Sequence, residues 1–257
     1  MMRKSFVMPL LGLVAMSGCA GSNVFPLEFE GTSKAVGGGR ALTYISLGAD
    51  NKPSAIAVRL TDGAMNGLAT VAPFGVEYVL DIAVAGKDAG LPFDHVGFNW
   101  NPGGHEPPGI YDVPHFDIHF YTISQAERAA IVPGPTATAT AAAPAASAMP
   151  AGYFPPPGAL ANSLVPNMGV HYSSPSTSPE LTGGTFTSTL IYGFANAKLA
   201  FVEPMITRAF FLSKTNVSGA IPVPATVAKP GYYPSRWSIK HGTDGSIDII
   251  LDQFVQR

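Results

Sequence analysis

Apolar and polar side chains alternate with a period of two through most of the chain after Leu27, and no stretch sustains the periodicity of a long amphipathic helix. The clearest case is "RWSIKHGTDGSIDIILDQF". Trp237 and Ile239 alternate with Arg236, Ser238 and Lys240, "GTDG" supplies a turn, and Ile247, Ile249 and Leu251 resume the pattern. Successive side chains of a strand point to opposite faces, so this period predicts an antiparallel hairpin with one face in a core. "ALTYISL" (Ala41 to Leu47) and "AIAVRL" (Ala55 to Leu60), joined by "GADNKPS", predict a second hairpin. "TFTSTLIY" (Thr185 to Tyr192), a turn around "GFANAK" and "LAFVEPMITRAFFL" (Leu199 to Leu212) predict a third, with Pro204 at an edge or a bulge. "VEYVLDIAV" (Val76 to Val84) and "FDHVGFNW" (Phe93 to Trp100) also read as extended.

The 28 Gly and 24 Pro interrupt helices and favour turns. One short helix is expected through "QAERAAI", because Ser124 and Glu127 form a capping box at its head; it ends near Pro133. The fold class that follows is mainly β: an antiparallel β-sandwich or barrel with short helices and a Pro/Ala/Thr-rich inserted loop.

Four segments divide the chain. Residues 1–19 have a positive start (Arg3, Lys4), an apolar run from Phe6 to Met16 and then small residues, the pattern of an export signal. The apolar run is too short for a permanent span. Cys19, the only cysteine, follows "MSG" as in the lipobox of bacterial lipoproteins, where the cysteine is lipidated; ordinary cleavage near Ala20 is the alternative. The lipoprotein reading places the protein outside the cytoplasm, anchored to the membrane by an N-terminal lipid, at the outer membrane facing the periplasm. Residues 24–132 form a β-rich first half, 133–152 a low-complexity linker or inserted loop, and 153–257 a β-rich second half packed with the first as one domain. With one cysteine no internal disulfide can form, so stability rests on the core and on any bound ion. A net charge of -2 with 12% charged residues gives no basic footprint, so nucleic acid is not an expected partner.

Chemistry concentrates in "GGHEPPGIYDVPHFDIHFY", which holds three of the six histidines together with Glu106, Asp112 and Asp117. Along a strand from Pro114 to Tyr121, His115, Asp117 and His119 share one face and Phe116, Ile118 and Phe120 the other. Histidine and carboxylate are the usual ligands of zinc and iron, so a divalent transition metal is the expected cofactor. Residues four apart on a strand lie about 13 Å apart and residues two apart about 6.6 Å. The strand's share of a site is therefore His115 with Asp117, or Asp117 with His119, and the remaining histidine supports the ligands from behind. His105, in the stiff loop "NPGGHEPPG", is the natural third ligand; His171 and Glu203 are further candidates from the second half, and Glu203 beside Pro204 also fits a strand-end ion pair. His95 and His241 read as structural. Two readings without a metal compete: a solvent-facing polar strand face, and a buried network in which Asp117 accepts hydrogen bonds from its neighbours.

The series "FNWNPGGHEPPGIYDVPHFDIHFY", "VPNMGVHY", "GTFTSTLIYGFANAKLAFVEPMITRAFF" and "YYPSRWSIKH" resembles a family of secreted bacterial proteins of unknown function typified by a hypothetical protein from Thermus. The resemblance implies a shared fold unit and polar block, and no substrate. The functional expectation is an exported lipoprotein binding a metal ion, or a small-molecule ligand through it. Two alternatives stand beside it. One is a metal-dependent hydrolase or oxygen-handling enzyme of the cell envelope with Glu106 as general base, and the other an interaction protein without a metal. No GxSxG elbow, HExxH helix or P-loop is present.

Overall fold

The computed structural model describes residues 26–70 and 75–257. The expected leader 1–19 and Cys19 lie outside the described residues. β1 (Leu27–Val36), β2 (Gly39–Leu47), β3 (Pro53–Leu60), β4 (Val76–Asp81), β5 (His95–Asn101) and β6 (His115–Tyr121) come from the first half of the chain. β7 (Val170–Tyr172), β8 (Ser188–Ala195), β9 (Lys198–Thr207), β10 (Val217–Ala220), β11 (Tyr232–His241) and β12 (Ile247–Gln256) come from the second. They build two six-stranded sheets in the orders β1-β2-β3-β12-β11-β10 and β4-β5-β6-β9-β8-β7. Among the described residues all pairings between strands are antiparallel and neither sheet closes on itself, so the architecture is a β-sandwich. Each half of the chain supplies three neighbouring strands to each sheet, and the halves meet at the β3–β12 and β6–β9 seams.

The alternation explains the layering. Ile45, Ile56, Ile239 and Ile249 of one sheet and Phe98, Phe116, Ile118 and Phe120 of the other are fully buried in one cluster between the sheets. Phe116 packs on Phe98 at 5.2 Å between ring centroids and on Trp100 at 4.6 Å. Each such side chain contributes roughly 1.5–3 kcal/mol through burial.

The expected hairpins form at β2–β3, β8–β9 and β11–β12, and Ser124 and Glu127 close a capping box on a short helix, Gln125–Ala129. The structure differs at three places. The strand starting at Val76 stops at Asp81, and Val84–Asp88 is a helical turn. The strand expected to reach Leu212 ends at Thr207, whose side chain accepts a hydrogen bond from the Phe210 N–H and starts the helical turn Arg208–Leu212. Pro204 lies in β9, inside the sheet and in unbroken register. The β6–β9 ladder pairs Asp117 with Met205 and resumes at Phe120 with Val202, because proline has no N–H to offer between them.

The segment 133–152, read from composition as a linker or inserted loop, is seated on the body. Thr140 and Ala141 are buried, and the Thr140 carbonyl accepts from the Asn196 N–H at 2.7 Å. No helix among the described residues is long and apolar enough to cross a membrane.

Phe116→Ala is expected to lower the unfolding free energy by about 3–5 kcal/mol in a urea titration. A loss no larger than that of a surface substitution would show that this side of β6 is not core.

Candidate metal centre

The face of β6 turned away from the sandwich core carries His115, Asp117 and His119. Antiparallel register sets Asn101 of β5 beside His115, Asn99 beside Asp117 and Gly97 beside His119. On the other side, continuing the register across the lapse in the ladder brings Glu203 of β9 opposite His119. This outward face is not wet: His115 and His119 are completely buried and Asp117 nearly so. Phe186 lies over His115 at 5.3 Å, and His105, from the β5–β6 connection, at 4.6 Å. Phe201 meets His119 edge-on at 4.7 Å and His171 at 5.1 Å. A solvent-facing polar strand is therefore excluded.

Two clusters result, and each could hold a metal ion: His105, His115 and Asp117, and His119, His171 and Glu203. In the first, His115 Nδ1 lies 2.7 Å from the Val113 carbonyl and His105 Nδ1 lies 2.7 Å from the Glu106 carbonyl. A carbonyl only accepts, so both Nδ1 atoms carry protons. Both Nε2 atoms then aim at one carboxylate, His115 at 3.0 Å from Asp117 Oδ1 and His105 at 3.3 Å from Oδ2. Asn101 Nδ2 donates to Oδ2 at 2.7 Å, whereas Oδ1 has no aligned donor. Ring nitrogens fixed from behind by backbone carbonyls, with their free nitrogens converging on a carboxylate, form the arrangement that orients histidines onto a metal.

In the second cluster His119 Nε2 lies 3.3 Å from Glu203 Oε1, and His171 Nε2 lies 3.7 Å from Oε2. Both ring nitrogens of His119 and Glu203 Oε2 are buried without a hydrogen-bond partner. Buried polar atoms are normally satisfied, and either a proton between Glu203 and His119 or a cation at the centre of the set would satisfy these.

The clusters differ in charge. Burial pushes Asp117 up, but His115 and His105 outweigh it and hold the carboxyl well below the usual range. Burial would lower His105, and its Asp117 partner reverses that and lifts it. In the second cluster burial dominates: His119 falls to about 3 and His171 to about 4, while Glu203 is raised well above a normal carboxyl by burial and by the Asp117 charge. The first cluster thus presents an ionised carboxylate, and the second presents neutral imidazoles whose acid must lose a proton to take up a cation.

Both clusters form the floor of a cleft of about 840 Å³ that includes His105, Asp117, His119, His171 and Glu203. Glu106 also lines it. His95 and His241 stand apart from this floor. His95 is buried and stacked on Tyr121 at 4.8 Å, and His241 Nε2 lies 3.0 Å from the Phe211 carbonyl.

The sequence predicts one ion held by His115 with Asp117, or Asp117 with His119, and by His105, with the spare histidine of β6 behind and His171 and Glu203 as further candidates; the structure gathers these six residues into two sets of three. Sequence reasoning passed over Asn101, although the alternation of "FNWN" puts Asn99 and Asn101 on one face of the neighbouring strand. It also passed over Tyr111, which donates to the buried Glu180 at 3.0 Å at the edge of the first cluster.

Comparison of the chain with protein-family models, with characterised proteins and with solved structures found no match. Fold and site together define an antiparallel β-sandwich with His/carboxylate groups able to hold metal.

Glu203 supplies a pH test. Its folded-state pKa is raised, so the stability linked to it is complete below about 4.5, the usual value for an unfolded glutamate, and is lost as pH rises through the folded value. In chelator, the melting temperature of Glu203→Gln relative to the parent is expected to climb between pH 4.5 and 8. A difference that stays flat would show that burial does not oppose this carboxylate.

Proposed function

We propose that this protein is an exported lipoprotein that binds divalent transition metal, zinc or iron, through the outer face of the second sheet. The observation that supports this best is the paired orientation of His105 and His115, each with Nδ1–H given to a carbonyl and Nε2 turned on Asp117. Neutral imidazoles in that orientation would set lone pairs against a carboxylate; a proton or a metal ion between them removes the conflict. The unpartnered nitrogens of His119 and oxygen of Glu203 support a second ion. The charged start, apolar run and "MSGC" of residues 1–19 support export, lipidation at Cys19 and an outer-membrane site facing the periplasm. The polar block shared with the secreted family that the sequence resembles belongs to the same proposal.

A second reading, a metal-dependent hydrolase or oxygen-handling enzyme, draws on the cleft. Each cluster offers three protein ligands, the number that leaves a coordination position open in catalytic zinc sites, and Glu106 lies in the lining as a candidate base.

Elemental analysis after soaking in zinc is expected to find two ions per chain, one per cluster. His115→Ala should lose one and His119→Ala the other. A parent without metal, or unchanged uptake in both variants, would remove the metal-binding reading. For the anchor, radiolabelled palmitate fed to a bacterial expression host should enter the parent and not Cys19→Ser; label kept by the variant would refute lipidation at that residue.

A further inference from the structure

The walls of the cleft have a chemistry unlike its floor. Phe154, Pro155, Pro156, Val165, Leu181 and Met205 supply apolar surface around the two clusters. Three of them are large hydrophobic side chains left open to solvent: Phe154 at 61%, Leu181 at 40% and Val165 at 38% exposure. They come from separate stretches of the chain and gather at one cleft mouth. Exposed apolar side chains collected at the rim of a concave site mark a surface that an apolar body covers. A volume of about 840 Å³ falls in the range of small-molecule sites.

The lining is equally informative in what charges it holds. It contains Asp117, Glu203 and Glu106 and no lysine or arginine among the described residues. An anionic ligand could not be balanced there by side chains. A divalent ion held by two neutral imidazoles and one carboxylate keeps a net charge of about +1 and, with three protein ligands, an open position, which favours an anionic oxygen donor.

We propose, resting on the metal-binding reading above, that the cleft takes a small amphipathic acid. Its carboxylate completes the coordination of metal on the floor, and its hydrocarbon body lies along Phe154, Val165 and Leu181. Polar acids with no apolar body leave the walls uncovered and bind weakly, and large anions such as nucleotides meet no cationic side chain.

The test uses the zinc-loaded chain, titrated calorimetrically with acetate, butyrate, hexanoate and octanoate, the zinc content being measured on the same sample. Affinity is expected to rise with chain length, by up to about fourfold per methylene group buried. In the double variant Phe154→Ser, Leu181→Ser at equal zinc content the rise should shrink, and stripping zinc with chelator should weaken octanoate at least tenfold. These two wall residues are solvent-exposed, so their replacement leaves the core intact. Affinity independent of chain length, an unchanged rise in the double variant, or octanoate binding indifferent to chelator, each with zinc present at the outset, would overturn this inference and leave metal binding standing. A parent that takes up no zinc would overturn both.

Discussion

A carboxylate sits in the dry outer face of a sheet, and the first cluster is arranged around it. Asp117 is nearly inaccessible, and a buried carboxylate must be met by donors or cations. Asn101, its diagonal neighbour on β5, satisfies Oδ2, and the two imidazoles flank the rest. Because His115 is held by the Val113 carbonyl and His105 by that of Glu106, the whole connection from β5 to β6 is tied to this one side chain. The loop therefore orients ligands as well as joining strands.

Carbonyls frame the first cluster, and rings frame the second. Phe201 stands edge-on to both His119 and His171, and it can do so because residue 193 is glycine: a Cβ there would overlap the Phe201 ring. On the other flank His119 stacks on Tyr121, which in turn lies beneath the Arg128 guanidinium at 4.6 Å. Arg128 is buried, paired with Glu77 and bonded to the Asn167 carbonyl at 2.9 Å, so it joins β4 to the segment ahead of β7. Behind this frame His119 and Glu203 are almost wholly buried, which keeps the imidazole neutral and makes the acid resist ionisation, whereas in the first cluster the imidazoles of His115 and His105 outweigh the burial of Asp117 and keep it ionised.

Much of this was legible in the chain because strand periodicity is local. The alternation of "HFDIHFY" assigns each β6 side chain to a face, "GTDG" and its flanking isoleucines mark the last hairpin, and Ser124 with Glu127 marks a helix start. Other features depend on partners far away in sequence. That His119 meets Glu203 follows from the β6–β9 register across 84 positions, which no window of sequence contains. That the polar face is buried depends on what covers it, and the covering side chains, Phe186 and Phe201, look like ordinary strand hydrophobics. The helical turns at Val84 and Arg208 are too short to show a helical period, and in the second case a threonine cap decides the outcome.

The seams between the halves bear on how the molecule assembles. Until β12 arrives, β3 ends its sheet with an unpaired ladder, and β6 does the same until β9 arrives. Synthesis of the first half alone thus yields two raw edges, each flanked by buried-type sequence, a form prone to sticking to other chains. Pairings that span most of the polypeptide close slowly, since the intervening chain must be brought together before any contact rewards it. The β6–β9 seam joins residues 80 to 92 apart and the β3–β12 seam residues 187 to 197 apart, so a correctly formed cation site would report that the middle of the polypeptide has closed, ahead of the outer seam that unites its two ends.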